Sequence, residues 1–390
     1  MNGVLEGIHV VELSQIIAAP VAGQILADLG ADVLKIEPPG GESWRLQAPI
    51  APTESKSYQC LNRGKHNLTL DLTRPEATRI VHRLVEDADV VLINYRPDVP
   101  ARFGIDWATL SRVNPALVYV DLTAFGRRGP SALRPGYDGI VQAVSGLMAG
   151  EGKLRPDGAP AAIASAAIAD FATGMVLAQA VVTALYHREC TGEGQLVECS
   201  LLATALWLQS AEVTTPATSP SQLAPEGATY AELVQRRAAA APAVDAHRRV
   251  YLTSDGAIVI AVDSADQRRA AAALVGTTEE AIAARMMGGT NDEWLERLAA
   301  TAIPAAPVLF PEDLSGHQQF AANDWFVTLE HEVTGTQSQV GPLLRCSAVD
   351  APPPRPAPPL GRDTDAVLRA LGYRDDEIAH LAERGVIGER

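Results

Sequence analysis

Short apolar runs rich in β-branched residues alternate with amphipathic stretches through the first third of the chain. His9–Leu13 and Asp32–Ile36 are the first two such runs, and the amphipathic stretch between them, Ala18–Leu29, is followed by Gly30. Parallel strands are joined by helices in this way, and glycine is common just past a helix end. The pattern predicts a strand–helix–strand unit with a turn at Pro38–Gly41.

The same unit recurs further along the chain. His66–Leu72 and Val90–Tyr95 are predicted strands on either side of the helix Arg74–Ala88, and Val118–Phe125 is a further strand after a helix at Trp107–Val113. The repeat predicts an α/β fold with a large, doubly wound, Rossmann-like domain. Ligands of such sheets bind beyond the carboxyl ends of the strands. The loops at that edge follow Ser14, Leu72, Asn94 and Thr123.

A change in composition in the middle of the chain predicts the end of the first domain and the start of a linker. The apolar segment Ile163–His187 predicts a buried helix or helix pair, and Gln195–Cys199 is a predicted strand after it. The first domain is expected to span residues 1–205. Thr214–Ala243 is rich in Pro, Thr, Ser and Ala, so residues 206–245 are expected to form a linker.

A second domain is predicted after this linker. Two apolar runs, Arg249–Thr253 and Ala257–Val262, flank a turn and indicate a hairpin. Helices are expected after it, around Gln267–Leu274 and Asp292–Thr301. We expect a small α+β domain over residues 246–335. Residues 336–390 are expected to return as a strap, the proline-rich segment Ala351–Pro359, followed by two closing helices, Asp363–Leu371 and Asp375–Glu383.

Charge and cysteine content exclude several classes of function. The 390 residues carry a formal net charge of -15, which would repel nucleic acid and anionic membrane surfaces. No apolar run of about 20 residues is present, so no membrane partner is expected. The four cysteines lack CxxC spacing and the histidines lack a ligand spacing, so we expect no metal and a reducing, cytoplasmic location. Motifs for nucleotide hydrolysis, serine esterases and zinc proteases are absent.

Asp170 is the only carboxylate between Gly158 and Glu189. A charge in so apolar a run costs several kcal/mol unless it caps a helix or takes part in chemistry. From the residues alone a cap is the simpler interpretation, because aspartate is favoured at helix starts and the helix dipole would keep it ionised. Both roles are compatible with the same position.

Six basic residues lie in the predicted loops of the first domain, although the chain as a whole has a negative net charge. They form either a phosphate site or ordinary solvated charge. The six residues are Arg63, Lys65, Arg96, Arg102, Arg127 and Arg128. Tyr137 and Asp138 open a predicted helix, Gly139–Met148, where the aspartate is expected to act as a cap.

Many short pieces of the chain match one known family in the right order. The pieces are Leu5–Ile8, Ala18–Pro20, Leu29–Pro38, Asn62–Lys65, Leu70–Leu72, Ala88–Val90, Asn94–Pro97, Asn114–Pro115, Phe125–Gly126, Gly129–Pro130, Gly136–Asp138, Ile303–Val308 and Pro358–Gly361. They resemble the class III CoA-transferases, which include formyl-CoA transferase and carnitine CoA-transferase and are related to α-methylacyl-CoA racemase. The resemblance runs from end to end.

The resemblance implies an enzyme that moves coenzyme A from an acyl-CoA to a small organic acid. Asp170 occupies the motif of the family's nucleophile, which forms an aspartyl anhydride and then an aspartyl-CoA thioester. Coenzyme A is substrate and carrier, and no metal or redox cofactor is implied. The family also implies an interlocked homodimer. The implied CoA-binding residues are Ile17, Ala18, Leu70, Asp71, Leu72, Thr73, Asn94, Tyr95, Arg96, Arg102, Pro135, Gly136, Tyr137 and Asp138.

Departures from the family pattern keep two alternatives open. Ile17 stands where formyl-CoA transferase has glutamine, and the small domain is short with no run of glycines. A CoA-binding protein without turnover is therefore one alternative. An acyl-CoA racemase or isomerase is another, but racemases carry histidine where Tyr137 stands. Tyrosine, with a reference pKa of about 10, is a poor general base at neutral pH, so transfer is favoured.

Overall fold

The computed structural model describes residues 3–215, 227–240 and 245–388. The chain forms two compact units. The first comprises residues 1–231 together with 324–390, and the second comprises residues 232–323. Parts of the predicted linker, residues 216–226 and 241–244, lie outside the described residues.

The first 215 residues hold most of the regular structure of the first unit. In chain order the elements are β1 His9–Leu13, α1 Ala18–Asp28, β2 Asp32–Glu37, β3 Pro49–Ala51, β4 Glu54–Ser55, α2 Lys56–Gln59, β5 His66–Thr69, α3 Pro75–Glu86, β6 Val90–Ile93, α4 Val99–Arg102, α5 Trp107–Val113, β7 Val118–Thr123, α6 Asp138–Ser145, α7 Leu147–Gly150, α8 Ile168–Thr191, β8 Gln195–Ser200, α9 Leu201–Trp207 and α10 Ser210–Val213. A 3-10 helix, Ser43–Leu46, lies between β2 and β3.

A six-stranded parallel sheet in the order β5-β2-β1-β6-β7-β8 forms the centre of this unit. Every residue of β6 and β7 is buried, as expected of parallel strands covered by helices on both faces. The predicted α/β class and parallel sheet are confirmed. The chain runs outward from β1 to β2 and β5 and then returns to β6 on the other side of β1. The strand order therefore reverses between β1 and β6.

Helices cover both faces of the sheet. One apolar core lies against α1, α8 and α9, and the other lies against α3, α5 and the C-terminal helices. The apolar segment predicted as one or two helices is the single helix α8, which ends at Gly192 with φ 78°. By length and composition α8 is apolar enough to cross a membrane, but half of its most apolar window is buried in the protein, as in a core helix.

Close contact between α1 and α8 depends on a glycine. A Cβ added at Gly174 of α8 would lie 2.6 Å from the Cβ of Val21 and 2.8 Å from the carbonyl oxygen of Ala18. Real Cβ atoms do not approach so closely, so any larger residue would push the two helices apart. The glycine therefore sets the distance between the helix carrying Asp170 and the helix that follows the first loop.

The second unit is a small α+β layer. Its three strands form an antiparallel sheet with Ala257–Ala261 in the middle, and its helices pack on the core around Ile258, Ile260 and Trp294. Side-chain caps at Ser264, Thr278 and Thr290 begin the three central helices. The elements are β9 Arg248–Leu252, β10 Ala257–Ala261, α12 Ala265–Val275, α13 Glu279–Met286, α14 Asn291–Ala299 and β11 Ala305–Pro307, preceded by α11 Tyr230–Ala240. Helix α11 lies in the segment interpreted as linker, and α13 was not predicted.

After the second unit the chain returns to the first. The elements are the 3-10 helix Pro311–Gly316, α15 Gln318–Ala321, the hairpin β12 Phe326–His331 and β13 Gly335–Val340, and the helices α16 Thr364–Ala370 and α17 Asp375–Glu383. The second unit ends at Asn323, earlier than the boundary expected after residue 335. The segment 351–359 forms neither helix nor strand. Arg45 donates a hydrogen bond to its Pro358 carbonyl oxygen, and Leu368 of α16 joins the core beneath β5 and β6.

Candidate active site

A cavity of about 720 Å³ opens where the strand order reverses. It is lined by the loops after β1, β6 and β7 and by the beginnings of α6 and α8, as expected for a ligand site of an open α/β sheet. The predicted residues that line it are Ile17, Ala18, Asn94, Tyr95, Arg96, Pro135, Gly136, Tyr137, Asp138 and Asp170. The lining residues that were not predicted as site residues are Gln15, Ile16, Trp44, Val99, Leu122, Thr123, Ala124, Gly139, Ala167 and Leu201.

Asp170 is the third residue of α8 and is only 8% exposed. Among the described residues, none donates a hydrogen bond to its carboxylate. Burial raises the pKa of Asp170 to about 7, and the neighbouring charge of Asp138 adds to this effect. The simpler interpretation from sequence, a helix cap kept ionised by the dipole, is therefore wrong. The helix starts after Ala167, which makes no side-chain capping bond.

The cap of α8 comes from α6 instead. Asp138 Oδ1 accepts hydrogen bonds from the backbone N–H of Ala169, at 2.7 Å, and of Asp170, at 3.3 Å. The interpretation of Asp138 as a cap of its own helix is wrong, because α6 has no side-chain capping bond. Tyr137 precedes it with 60% of its surface exposed. Two carboxylates are thus brought together at one helix start.

The first loop is clamped by the polar side chains of Asn94, Glu42 and Lys35, of which Glu42 and Lys35 are buried. Asn94 accepts from the Gln15 N–H at 3.0 Å and donates to the Gln15 carbonyl at 2.7 Å. Glu42 accepts from the Ile16 N–H at 2.6 Å, and Lys35 donates to the carbonyl oxygen of Ser14 at 3.0 Å. Ile16 has a φ of 74°, which a branched residue adopts only when its surroundings impose it.

The amide of Asn94 therefore holds the loop, since both of its polar atoms are bonded to Gln15. The strand pattern predicted the loop after Asn94 at this edge of the sheet, and the family resemblance implied that the residue itself contacts coenzyme A. Nothing in the local pattern marks Glu42 or Lys35 as partners of the same loop, because Lys35 lies in β2 and Glu42 follows β2, whereas the loop follows β1.

Two of the side chains that hold the first loop, Lys35 and Glu42, belong to a network of buried charged residues that also includes Glu12 and Lys65. Lys35 lies 3.1 Å from Glu12 and 3.0 Å from Glu42, and Lys65 lies 2.8 Å from Glu12. Burial alone would raise the pKa of Glu12, but Lys65 and Lys35 hold it below its ordinary value. Burial likewise opposes the charge on Lys35, but Glu42 and Glu12 raise its pKa. Burial lowers the pKa of Lys65 to about 8 and raises the pKa of Glu42 above its ordinary value, whereas Lys35 and Glu12 are held in their charged forms. Lys35 and Glu42 connect this network to the first loop.

Three of the six basic residues are committed to internal ion pairs. Arg63 bonds to Asp28, Lys65 to Glu12, and Arg127 to Asp121 at 2.5 Å. The interpretation of all six residues as one phosphate site is therefore wrong. Arg96 lines the cavity and is half-exposed, 3.7 Å from Asp98. Arg102 and Arg128 are exposed outside the lining.

The residues after β5 lie away from the cavity. Leu70 is buried in the core on the α3 side of the sheet, and the Asp71 N–H bonds to the carbonyl oxygen of Val386. Asp71 also accepts hydrogen bonds from the N–H and hydroxyl of Thr73. The segment 70–73 follows the outermost strand, so the structure does not bring it to the other predicted site residues. Among the described residues no cluster of three or more His, Cys, Asp or Glu side chains is arranged to hold a metal ion.

The matches to known proteins agree with this geometry. Residues 5–364 match CoA-transferase family III. The chain belongs to this family. The predicted family and enzyme class are thereby confirmed, and the chain is a CoA-transferase.

Two curated relatives and one solved structure match over nearly their full lengths. Succinate–glutarate CoA-transferase of Agrobacterium fabrum is 34% identical over 94% of this chain and 95% of its own. Acetyl-CoA:oxalate CoA-transferase of Acetobacter aceti is 30% identical over the same shares. The crystal structure of a CAIB/BAIF family protein from Brucella suis is 27% identical, with a TM-score of 0.78 over 95% of this chain and 100% of that one.

Proposed function

We propose that this CoA-transferase works through a covalent intermediate on Asp170. The observation that supports this is the position of Asp170: a carboxylate 8% exposed, lining the cavity at the strand-order reversal, with no described side chain bonded to it. A poorly solvated carboxylate is a better nucleophile than one surrounded by water. With a pKa of about 7, roughly half of the Asp170 side chains are ionised near neutral pH.

The first half-reaction loads the enzyme. An Asp170 oxygen attacks the thioester carbonyl of the acyl-CoA donor, the carbon–sulfur bond breaks, and coenzyme A leaves as a thiolate. The product is a mixed anhydride. The thiolate then attacks the aspartyl carbonyl carbon of the anhydride and releases the donor acid as a carboxylate. Asp170 is left as a CoA thioester, and no proton or electron is consumed.

The second half-reaction runs the same steps in reverse with an acceptor acid. Its carboxylate attacks the Asp170 thioester, expels the CoA thiolate and forms a new anhydride. The thiolate then attacks the acyl carbonyl of the acceptor. One acceptor oxygen stays behind on Asp170 in this step. The bond energy of the thioester is kept throughout, so no cofactor is required.

We assign coenzyme A to the loops that line the cavity. Arg96 is the half-exposed cation of the lining and suits a phosphate group, since its guanidinium presents several donors. Ile17, Ala18, Tyr95 and the segment Pro135–Asp138 supply the walls for the pantetheine arm. Arg102 and the segment 70–73 remain predictions from the resemblance alone.

We also propose that a second copy of the chain covers the apolar surface beside this cavity. Large apolar side chains on and around α6, α8 and α9 are more than a third exposed, among them Ile140, Val144, Phe171, Met175, Tyr186 and Trp207. Apolar patches of this kind mark interaction sites on soluble proteins. A homodimer, interlocked as the resemblance implies, is the expected assembly, and light scattering after gel filtration tests it. The four free cysteines fit a reducing cytoplasm.

Mass spectrometry tests the covalent step. The enzyme is incubated with succinyl-CoA, and separately with acetyl-CoA, the donors that relatives' names suggest. We expect an adduct of coenzyme A less water on the wild type and none on Asp170→Ala. With an ¹⁸O-labelled carboxylate from a panel of glutarate, L-malate and oxalate, peptide mapping should find the label in Asp170. An adduct that persists in Asp170→Ala, or full transfer without label in Asp170, would refute the mechanism.

A further inference from the structure

Two carboxylates compete for the beginning of helix α8. Asp170 lies in the first turn, where free backbone N–H groups normally stabilise a negative charge. Asp138 takes two of these groups, the N–H of Ala169 and that of Asp170 itself. These two N–H groups therefore stabilise the Asp138 carboxylate of α6 and are not available to the Asp170 carboxylate of α8.

Asp138 is itself held in place from the opposite side. Gln142, one turn further along α6, donates to Asp138 Oδ2. The Gln142 side chain also accepts from the Ile163 N–H at 2.9 Å and donates to the Ile163 carbonyl oxygen at 3.1 Å. Gln142 is buried, so these bonds fix α6 to the segment that leads into α8. The chain Ile163–Gln142–Asp138–α8 forms a continuous set of hydrogen bonds.

Besides Asp138, the charged groups near the beginning of α8 lie in ion pairs, including Arg96 with Asp98 and Glu198 with Arg127. The closely packed elements α1, β7, β8 and α9 contribute no free cation: α9 has no titratable residue, Asp28 of α1 pairs with Arg63, and Asp121 of β7 pairs with Arg127. Further titratable groups on these strands or in the cavity lining are Tyr95, Arg96, Tyr119, Tyr137, Glu198 and Cys199. Besides burial, only Asp138 shifts the pKa of Asp170.

We propose that Asp138 is the positioning residue for the nucleophile: it fixes the first turn of α8 and, by taking the N–H groups at its start, leaves the Asp170 carboxylate poorly stabilised and reactive. The proposal rests on the proposed role of Asp170 as nucleophile. Because an anhydride or thioester at Asp170 carries no charge on that side chain, the neighbouring Asp138 charge favours the loaded states over the free carboxylate. A carboxylate of higher basicity is also a stronger nucleophile.

Carbon-13 NMR of protein labelled at the aspartate carboxyl carbons tests this without any substrate. The Asp170 signal is assigned by its loss in Asp170→Asn. We expect its titration midpoint near 7 in the wild type and lower by about one pH unit or more in Asp138→Asn, which removes the charge but keeps an oxygen acceptor for the Ala169 N–H. The matched control is Gln142→Ala, which loosens the same bond chain but keeps both carboxylates, and its midpoint should stay near 7.

A purely structural role for Asp138 would give a different result. It would lower the thermal stability of Asp138→Asn and of Gln142→Ala alike and leave the Asp170 midpoint unchanged, and an unchanged midpoint in folded Asp138→Asn overturns the proposal. If that variant does not fold, Asp138→Glu decides the question, because it keeps the charge. Its midpoint should stay raised, and a fall to the ordinary value of an aspartate would overturn the proposal.

A kinetic measurement connects the titration to the reaction. The rate of thioester formation from succinyl-CoA is followed against pH, and its acid limb should move to lower pH in Asp138→Asn, with a lower fraction of loaded enzyme at equilibrium. If the wild type forms no thioester but the carboxyl titration behaves as expected, the proposed function fails while the electrostatic role of Asp138 stands. If thioester forms with the same pH limb in both proteins, the positioning role fails while the function stands.

Discussion

Replacing Asp170 by asparagine should stabilise the folded protein and abolish CoA transfer, because it removes the proposed nucleophile. The side chain is buried, no described residue donates a hydrogen bond to its carboxylate, and its pKa is raised to about 7 from an ordinary 3.8. Asparagine has nearly the same shape and carries no charge. The substitution therefore removes a poorly stabilised charge without deleting any hydrogen bond made by the side chain.

The magnitude follows from linkage between protonation and folding. The folded protein holds its Asp170 proton more tightly than the unfolded chain, so wild-type stability falls as pH rises between the two pKa values and the full penalty is present above about 7. A difference of about three pH units at about 1.4 kcal/mol each gives roughly 4 kcal/mol. We expect Asp170→Asn to be more stable than wild type by about this amount at pH 8 and equal to it at pH 4.

Urea unfolding at a fixed protein concentration measures this difference at several pH values. The matched control is Asp292→Asn, an exposed aspartate that also lies in the first turn of a helix, α14. It should show no gain with rising pH, and a small loss of about 0.3–1 kcal/mol is expected from the helix dipole. If Asp170→Asn is no more stable than wild type at pH 8, or its advantage does not change with pH, the carboxylate is not held as the structure indicates.

Three further changes test the framework around the site. Arg45 forms ion pairs with the buried carboxylates of Glu37 and Glu54, so Arg45→Met leaves both without this cation and should lower the free energy of unfolding by about 3–5 kcal/mol in urea titrations. A loss below about 1 kcal/mol would mean that these ion pairs are not held as the structure indicates. Gly174→Ala should separate α1 from α8 and cost about 1–3 kcal/mol by thermal unfolding, whereas Gly40→Ala, which meets nothing within 4 Å, should cost little. Asn94→Ala frees the backbone of Gln15 and should weaken CoA binding about tenfold by calorimetry, and unchanged affinity would mean that the loop is held without it.

Much of the fold of the first unit could be predicted from local pattern. The strand His9–Leu13 and the helices Trp107–Val113 and Asp375–Glu383 have the predicted bounds, because period and end signals act over a few residues. The predicted elements differ from the structure where tertiary contacts determine whether an element forms or where it ends. Helix α11 formed in a segment that showed no steady periodicity, and the predicted strand His66–Leu72 stops at Thr69.

The location of the site could be predicted from the sequence, but only some of the residues that line it could. Parallel strands bring their carboxyl ends to one edge, so the loops after Ser14, Asn94 and Thr123 were found from the sequence. The loop after Leu72 was also expected there, but β5 is the outermost strand and its loop turns to the C-terminal segment. Trp44 carried no signal, because it follows a strand end by several residues in a 3-10 helix.

By itself the sequence determined the alternation of strands and helices, the family, and the identity of the one carboxylate between Gly158 and Glu189. These follow from short-range patterns and from residues that stand in fixed order. Only the tertiary structure determined the pKa values of the charged side chains and the residues with which they pair. Asp138 and Asp170 are 32 positions apart and meet at one helix start, while Lys65 and Arg63 turn inward to carboxylates instead of toward a ligand. A side chain's pKa and partners depend on distances through space and on burial, which spacing along the chain does not encode.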